Sequence, residues 1–185
     1  MKNYNGISLQ HETEAGASHQ TALIWAVENT TGDVLELGCG DYSTELLHKL
    51  LEGTGRKLVS VDDNYEWTNR FTHMANDNHV FKVIDKDKWF VAIHEFTKVE
   101  WGVVLVDQGY DASGDTSRFY SVKKLVDHAE YVIAHDADLL PHMQIKDYNW
   151  KIFYPKYTPI IWRKGPPTYI ISNRHDLSEV EITED

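Results

Sequence analysis

One cysteine, Cys39, is all that this chain of 185 residues contains. An internal disulfide is therefore excluded, and the absence of any CxxC pair or Cys/His cluster argues against structural zinc; a reducing compartment fits both. Proline is also sparse, at five residues, and no Pro/Gly/Ser linker, repeat period or low-complexity tract divides the sequence. The expectation is one domain spanning residues 1–185, with 1–17 as an N-terminal segment and 176–185 as an acidic tail. No apolar run approaches the roughly 18 residues of a membrane span, and the opening residues carry no apolar signal core, so a soluble, cytoplasmic protein without a membrane partner is expected. Basic residues are outnumbered 18 to 29 by acidic ones, for a formal charge of -11. A field of that sign repels phosphate backbones, and with no Lys/Arg stripe in the chain nucleic acid is disfavoured as a partner.

What the chain does have is 42% hydrophobic and 12% aromatic residues, enough for a sizeable core. Its apolar segments are short and recurrent: Val34–Leu37, Leu58–Val61, Val80–Ile84, Val103–Val106 and Tyr131–Ala134. Each has strand length, and several are continuous, as in strands covered on both faces. Amphipathic patterns of helical period separate them. Leu46, Leu47, Leu50 and Leu51 share one face, Phe119, Val122, Val126 and Ala129 another, and a further stretch runs from about Ser18 to Asn29. Such alternation implies a doubly wound α/β fold with a mostly parallel sheet. Lys151–Pro155, Ile160–Arg163 and Thr168–Ser172 break the rhythm and read as an antiparallel hairpin at one edge. Ligands of such sheets bind beyond the carboxyl ends of the strands, so the residues following each strand carry the functional information.

The first strand leads into Glu36-Leu37-Gly38-Cys39-Gly40-Asp41-Tyr42-Ser43. Glycines at 38 and 40 permit a sharp turn and close ligand approach, ahead of a helix N-terminus with unpaired N–H groups. Ser43 stands where a dinucleotide site would carry its third glycine, and Glu36 precedes the loop; together they favour a ligand with an amine and no diphosphate. After the second strand comes Asp62-Asp63, 22 residues beyond Gly40, where an acid can accept both hydroxyls of a ribose. Asp62 is the choice because it ends the strand, with Asp63 as its rival.

Glu36-x-Gly38-x-Gly40, Asp62, Asp107 after the fourth strand and His135-Asp136 after the fifth resemble the class I S-adenosylmethionine-dependent methyltransferases. Within them the chain looks most like the small O-methyltransferase families whose fifth strand ends in His-Asp. The resemblance spans roughly residues 18 to 172. It implies a Rossmann-like, seven-stranded sheet whose last strand is antiparallel, a glycine loop (with Ser43) that holds the methionine part of the cofactor, and Asp62 on the ribose. The chain departs from these relatives in reading Asp107-Gln108-Gly109-Tyr110, and in having Ala137-Asp138 after Asp136 where catechol-type metal sites carry Asn. The Asn-Pro-Pro-Tyr motif of enzymes that methylate nucleobase amines is absent.

The activity implied is methyl transfer from S-adenosylmethionine to a hydroxyl of a small molecule or sugar. An alcohol does not ionise near pH 7, so its proton must go to a base or be made acidic by a metal. His135, among nearby acids, is the expected base, and Asp107 is placed to reach the transferred methyl. Asp107 with Asp136, joined by Asp138, offers hard oxygen ligands for Mg²⁺. Cys39 reads as a small filler rather than a nucleophile, and Trp89 either faces the adenine or joins the core. The other histidines show no ligand spacing. His19 stands apart, because the segment before the first helix closes over the cofactor in the resembled families. Aromatics at Tyr110, Tyr148, Trp150 and Trp162, with Arg163, are expected around the acceptor. An NAD-dependent dehydrogenase and a non-catalytic S-adenosylmethionine-binding subunit are the competing readings.

Overall fold

A computed structural model describes residues 3–4, 7–9, 15–109, 116–136, 149–153 and 166–182. Their elements are β1 (Asn3–Tyr4), β2 (Ile7–Ser8), α1 (Gln20–Glu28), β3 (Asp33–Leu37), α2 (Thr44–Leu51), β4 (Leu58–Asp62), α3 (Tyr65–Asn69), β5 (His79–Val83), α4 (Trp89–Phe96), β6 (Trp101–Val106), α5 (Thr116–Leu125), β7 (Ala129–Ala134), β8 (Asn149–Phe153) and β9 (Thr168–Ser172). The five expected apolar strands are β3 to β7, each within two residues of its sequence-based limits. No helix among the described residues is long and apolar enough to cross a membrane.

The main sheet has seven strands in the order β5-β4-β3-β6-β7-β9-β8. All neighbours from β5 to β7 are parallel, while β9 runs antiparallel to both β7 and β8. This is the doubly wound sheet with a terminal antiparallel hairpin that the sequence implied. The segment Ile160–Arg163 lies outside the described residues.

Strand alternation divides the core in two. Val34, Leu58, Val103, Leu105, Tyr131 and Ile133 face α1 and α2, with Ala22, Leu23, Leu46 and Leu47 packed on them. Leu35, Leu37, Val104, Val106, Val132 and Ala134 point the other way, against Trp89, Ile93 and Phe96 of α4 and Val122 and Leu125 of α5. Every residue of β6 is buried, as a central strand covered on both faces must be. Trp89 belongs to this second core. One helix assignment is corrected: α5 stops at Leu125, a 3₁₀ turn covers Val126–His128, and Ala129 opens β7. Ala129 matches the helical spacing but is claimed by the backbone ladder to Trp101.

The same alternation sets the chemistry. Glu36 shares a face with Val34, Asp107 continues the row of Val103 and Leu105, and His135 continues that of Tyr131 and Ile133. Because Val106 pairs with Ala134, the next residues of the two strands, Asp107 and His135, stand side by side on the face that α1 covers.

Candidate functional site

The loop after β3 is organised by Glu36, whose residue is fully buried. Ser43 Oγ donates to Glu36 Oε1 at 2.6 Å, and Thr44 Oγ1 lies 3.0 and 3.1 Å from the two carboxylate oxygens. Gly40 N donates in turn to Thr44 Oγ1 at 2.9 Å. Ser43 is the N-cap residue of α2, yet its hydroxyl makes no cap bond to the helix and is spent on Glu36. Burial pushes the Glu36 carboxyl up to about 7, against the Ser43, Ser60 and Thr44 hydrogen bonds that favour its charge. Glu36 thus tethers the glycine loop to the start of α2, inside the protein rather than at its surface.

Gly38 adopts φ 96°, in the left-handed region that favours glycine. A Cβ there would stand 2.6 Å from the carbonyl carbon and oxygen of Asp107 and 2.7 Å from Gln108 N. The glycine is required by the end of β6, which passes directly against it. Cys39 is buried, and burial pushes its thiol up, consistent with a filler.

Asp62 ends β4 and leans back to the glycine loop. Its Oδ2 accepts from Cys39 N at 3.0 Å and its Oδ1 from Asn64 N at 2.9 Å. Each carboxylate oxygen keeps further lone-pair capacity. Burial raises the Asp62 carboxyl above its usual range. Asp63 is exposed, and only Asp62 touches the loop. Trp67 Nε1 donates to Cys39 O at 2.7 Å, so α3 also braces this turn.

The ends of β6 and β7 carry a buried ionic network with Arg118 at its centre. From α5, on the far face of the sheet, Arg118 reaches Asp136 Oδ2 at 2.7 Å and Asp107 Oδ1 at 2.9 Å. It also donates to the carbonyls of Gln108, His135 and Asp107 at 2.8, 3.0 and 3.2 Å. His135 Nδ1 lies 3.2 Å from Asp107 Oδ1, and its Nε2 lies 2.9 Å from Ser18 Oγ. Burial alone would raise the Asp107 carboxyl, but the charges and hydrogen bond of His135 and Arg118 outweigh it and hold the group at about 2. Burial opposes charge on His135, yet Asp107 and Asp136 raise it above the usual histidine value.

His19 sits edge-on to His135 with ring centroids 4.6 Å apart. Burial and the neighbouring His135 push it down to about 3, so it is neutral. The chain before α1 is pinned here. Gly16 abuts the Tyr42 ring, Gln20 Nε2 donates to Tyr42 O at 2.9 Å, and Ser18 Oγ donates to Pro166 O at 2.9 Å. The segment 16–20 therefore spans from the glycine loop to the ends of β7 and β9.

Thus Glu36, Gly38, Gly40, Ser43, Asp62, Asp107, His135 and Asp136 all gather at one end of the sheet, where parallel α/β folds bind ligands. Asp107 and Asp136, the pair expected to hold Mg²⁺, are both ion-paired with Arg118. Arg118 and Ser18 were missed. An arginine in the first turn of α5 looks like a solvated residue in the sequence, and nothing near Ser18 announces a partner 117 positions away. Trp150 is exposed on edge strand β8. Tyr110, Asp138, Tyr148, Trp162 and Arg163 lie outside the described residues.

Neither a protein-family model nor a curated protein matches the sequence. Solved structures share the fold. A protein from Clostridium thermocellum assigned as an rRNA methylase superposes with a TM-score of 0.56 at 13% identity, over 92% of this chain and 97% of its own. An rRNA methylase from Streptococcus thermophilus gives 0.53 at 12% identity, over 84% and 94%. A Streptococcus mutans protein assigned as a methyltransferase, solved with S-adenosylhomocysteine, gives 0.54 at 11% identity, over 81% and 94%. The architecture is therefore the Rossmann-like fold of these methyltransferases. At such identities the likeness is one of fold.

Proposed function

We propose that this chain is an S-adenosylmethionine-dependent methyltransferase that methylates a hydroxyl of a small molecule or sugar. The observation that carries the reading is the joint between β3 and β4. A two-glycine loop is tied to a helix N-terminus by Glu36 on one side and to the strand-end carboxylate of Asp62 on the other. In this reading the loop from Gly38 to Ser43 takes the methionine part and Asp62 adds the ribose hydroxyls to the bonds it already accepts. The S-adenosylhomocysteine complex among structures of this fold supports the same cofactor.

The sulfonium supplies an activated methyl group, and the protein's task is alignment of acceptor oxygen, carbon and sulfur. The new C–O bond forms as the C–S bond breaks, sulfur keeps the electron pair, and the acceptor's proton must leave. Asp107 and His135, adjacent at the strand ends and overlaid by Ser18 and His19, are the groups that meet the acceptor oxygen. The net charge of -11 favours a neutral or cationic small acceptor over a polyanion.

Titration calorimetry with S-adenosylhomocysteine and NAD tests the assignment. Binding of the first with no response to the second is expected, and Asp62→Ala should weaken it by roughly 1–3 kcal/mol through lost charge-assisted hydrogen bonds. Binding of NAD alone would overturn the reading. Tight cofactor binding with no turnover of any hydroxyl library member would leave a binding subunit in place of an enzyme.

A further inference from the structure

The single hydrogen of Ser18 Oγ has one place to go. Oγ lies 2.9 Å from Pro166 O, which can only accept, and 2.9 Å from His135 Nε2. Ser18 therefore donates to Pro166 and accepts from His135, which puts a hydrogen on Nε2. The other ring nitrogen, Nδ1, faces Asp107 Oδ1 at 3.2 Å and Asp136 Oδ1 at 3.8 Å. A neutral ring would then aim a lone pair at a carboxylate, so a positive species belongs between them: a proton or a metal ion. Two carboxylates against the one guanidinium of Arg118 leave room for just such a charge.

His19 distinguishes the two. Its residue is 1% exposed, and neither ring nitrogen has a hydrogen-bond partner among the described residues. A proton on His135 does nothing for this enclosed imidazole, whereas an ion would take the lone pair of its unprotonated nitrogen. Donor atoms of His19, Asp107 and His135 all lie within 4.8 Å of one another. The 3.2 Å between Nδ1 and Oδ1 is close to the spacing of neighbouring donors on an ion that holds each at about 2.1 Å. Ion binding would have to draw the His19 nitrogen closer than the 4.8 Å within which the three donor atoms now lie.

We propose that His19, Asp107 and His135 form a binding site for a divalent first-row transition-metal ion, oriented from outside by Ser18. Two nitrogens and one carboxylate suit such an ion better than Mg²⁺, which prefers an all-oxygen shell. The Nε2–H to Ser18 bond is the outer support that a ligating histidine usually has. Asp136, whose Oδ1 lies farther from His135 Nδ1 at 3.8 Å, stays outside the ligand set, and Asp107 keeps its ion pair with Arg118 while ligating. The site's existence is independent of the methyltransferase reading; its role rests on it. There the ion would make the acceptor hydroxyl acidic, so that its proton leaves to solvent before the methyl moves.

The test uses tag-free full-length chain, stripped with chelator and titrated with Co²⁺ while its visible absorption is followed. One Co²⁺ per chain is expected, with excess Mg²⁺ failing to displace it. His19→Ala should abolish the band and Ser18→Ala should weaken binding by about 10- to 100-fold, with circular dichroism checking that each variant is folded. His48 and His79 offer a second nitrogen pair at the opposite end of the sheet, Nδ1 to Nδ1 3.0 Å, and serve as the control. If His48→Ala loses the ion and His19→Ala keeps it, the proposal fails. It fails equally if the wild-type chain shows no saturable Co²⁺ binding below millimolar concentration, whatever the variants do. Parallel titration with S-adenosylhomocysteine separates the two readings: Co²⁺ without the nucleoside retains the metal site and sinks the methyltransferase, and the converse does the reverse.

Discussion

A Cβ on Gly38 would stand 2.6 Å from the carbonyl carbon of Asp107. The tight packing of the glycine loop is therefore a property of the sheet itself, since the ends of β3 and β6 approach too closely for any side chain between them. A β-branched residue at 38 acts on the fold before it acts on a ligand. Gly38→Ala should cost roughly 1–3 kcal/mol from its φ alone, with more from the clash, read as a lower urea midpoint in ligand-free protein. A variant with wild-type stability and weakened nucleoside binding would place the constraint in the ligand.

Arg118 joins two carboxylates and three carbonyls across the ends of β6 and β7. Its removal takes away the guanidinium that bridges the two acids. Arg118→Ala should destabilise the protein by about 3–5 kcal/mol. Arg118→Lys should recover only part, because an ammonium cannot reproduce a planar fork of five donors. Urea denaturation of both variants measures this; full recovery by lysine would reduce Arg118 to a point charge.

Glu36 gives the folded protein a pH signature. Its carboxyl sits near 4.5 when free and at about 7 in the fold, where burial disfavours its charge. The native state then holds a proton that the unfolded chain has released between those values, so its contribution to stability is full below about pH 4.5 and is lost as pH rises toward 7. Glu36→Gln, which keeps the shape without the charge, should flatten that part of the profile. Thermal unfolding from pH 5 to 8 compares the two, and an unchanged slope in the variant would assign the dependence elsewhere.

Two of the structures sharing this fold are named as rRNA methylases, whereas the charge of -11 argues against a polyanionic substrate here. Binding of ribosomal RNA fragments at physiological salt should be no tighter than the non-specific range of about 1–100 μM. Fluorescence anisotropy across a salt series checks this. Sub-micromolar, sequence-dependent binding would reverse the acceptor class.

Much of this was legible in the residues. Continuous apolar runs located β3 to β7, and strand-end placement brought out Gly38, Asp62, Asp107 and His135. An acid ahead of the loop suggests a partner for a ligand's amine, while alternation along β3 turns Glu36 inward beneath α2, where its carboxylate bonds Ser43 and Thr44. Seeing that requires knowing which face α2 covers. The helical face drawn through Phe119 and Ala129 ran too far because a period of 3.6 cannot register a chain that has already joined a ladder.

By itself the sequence determined the strands, their alternation with helices and the end at which chemistry gathers, because period and strand length are local properties of the chain; the order of strands in the sheet came from the structure. Only the tertiary structure decided what those end residues do to one another. Parallel register sets Asp107 beside His135, the turn before α1 delivers Ser18 and His19 to them from 88 to 117 residues away, and α5 sends Arg118 around the strand ends from the opposite face. Hydrogen bonds and ion pairs of that kind depend on distances of about 3 Å between remote segments, and no spacing along a chain encodes them.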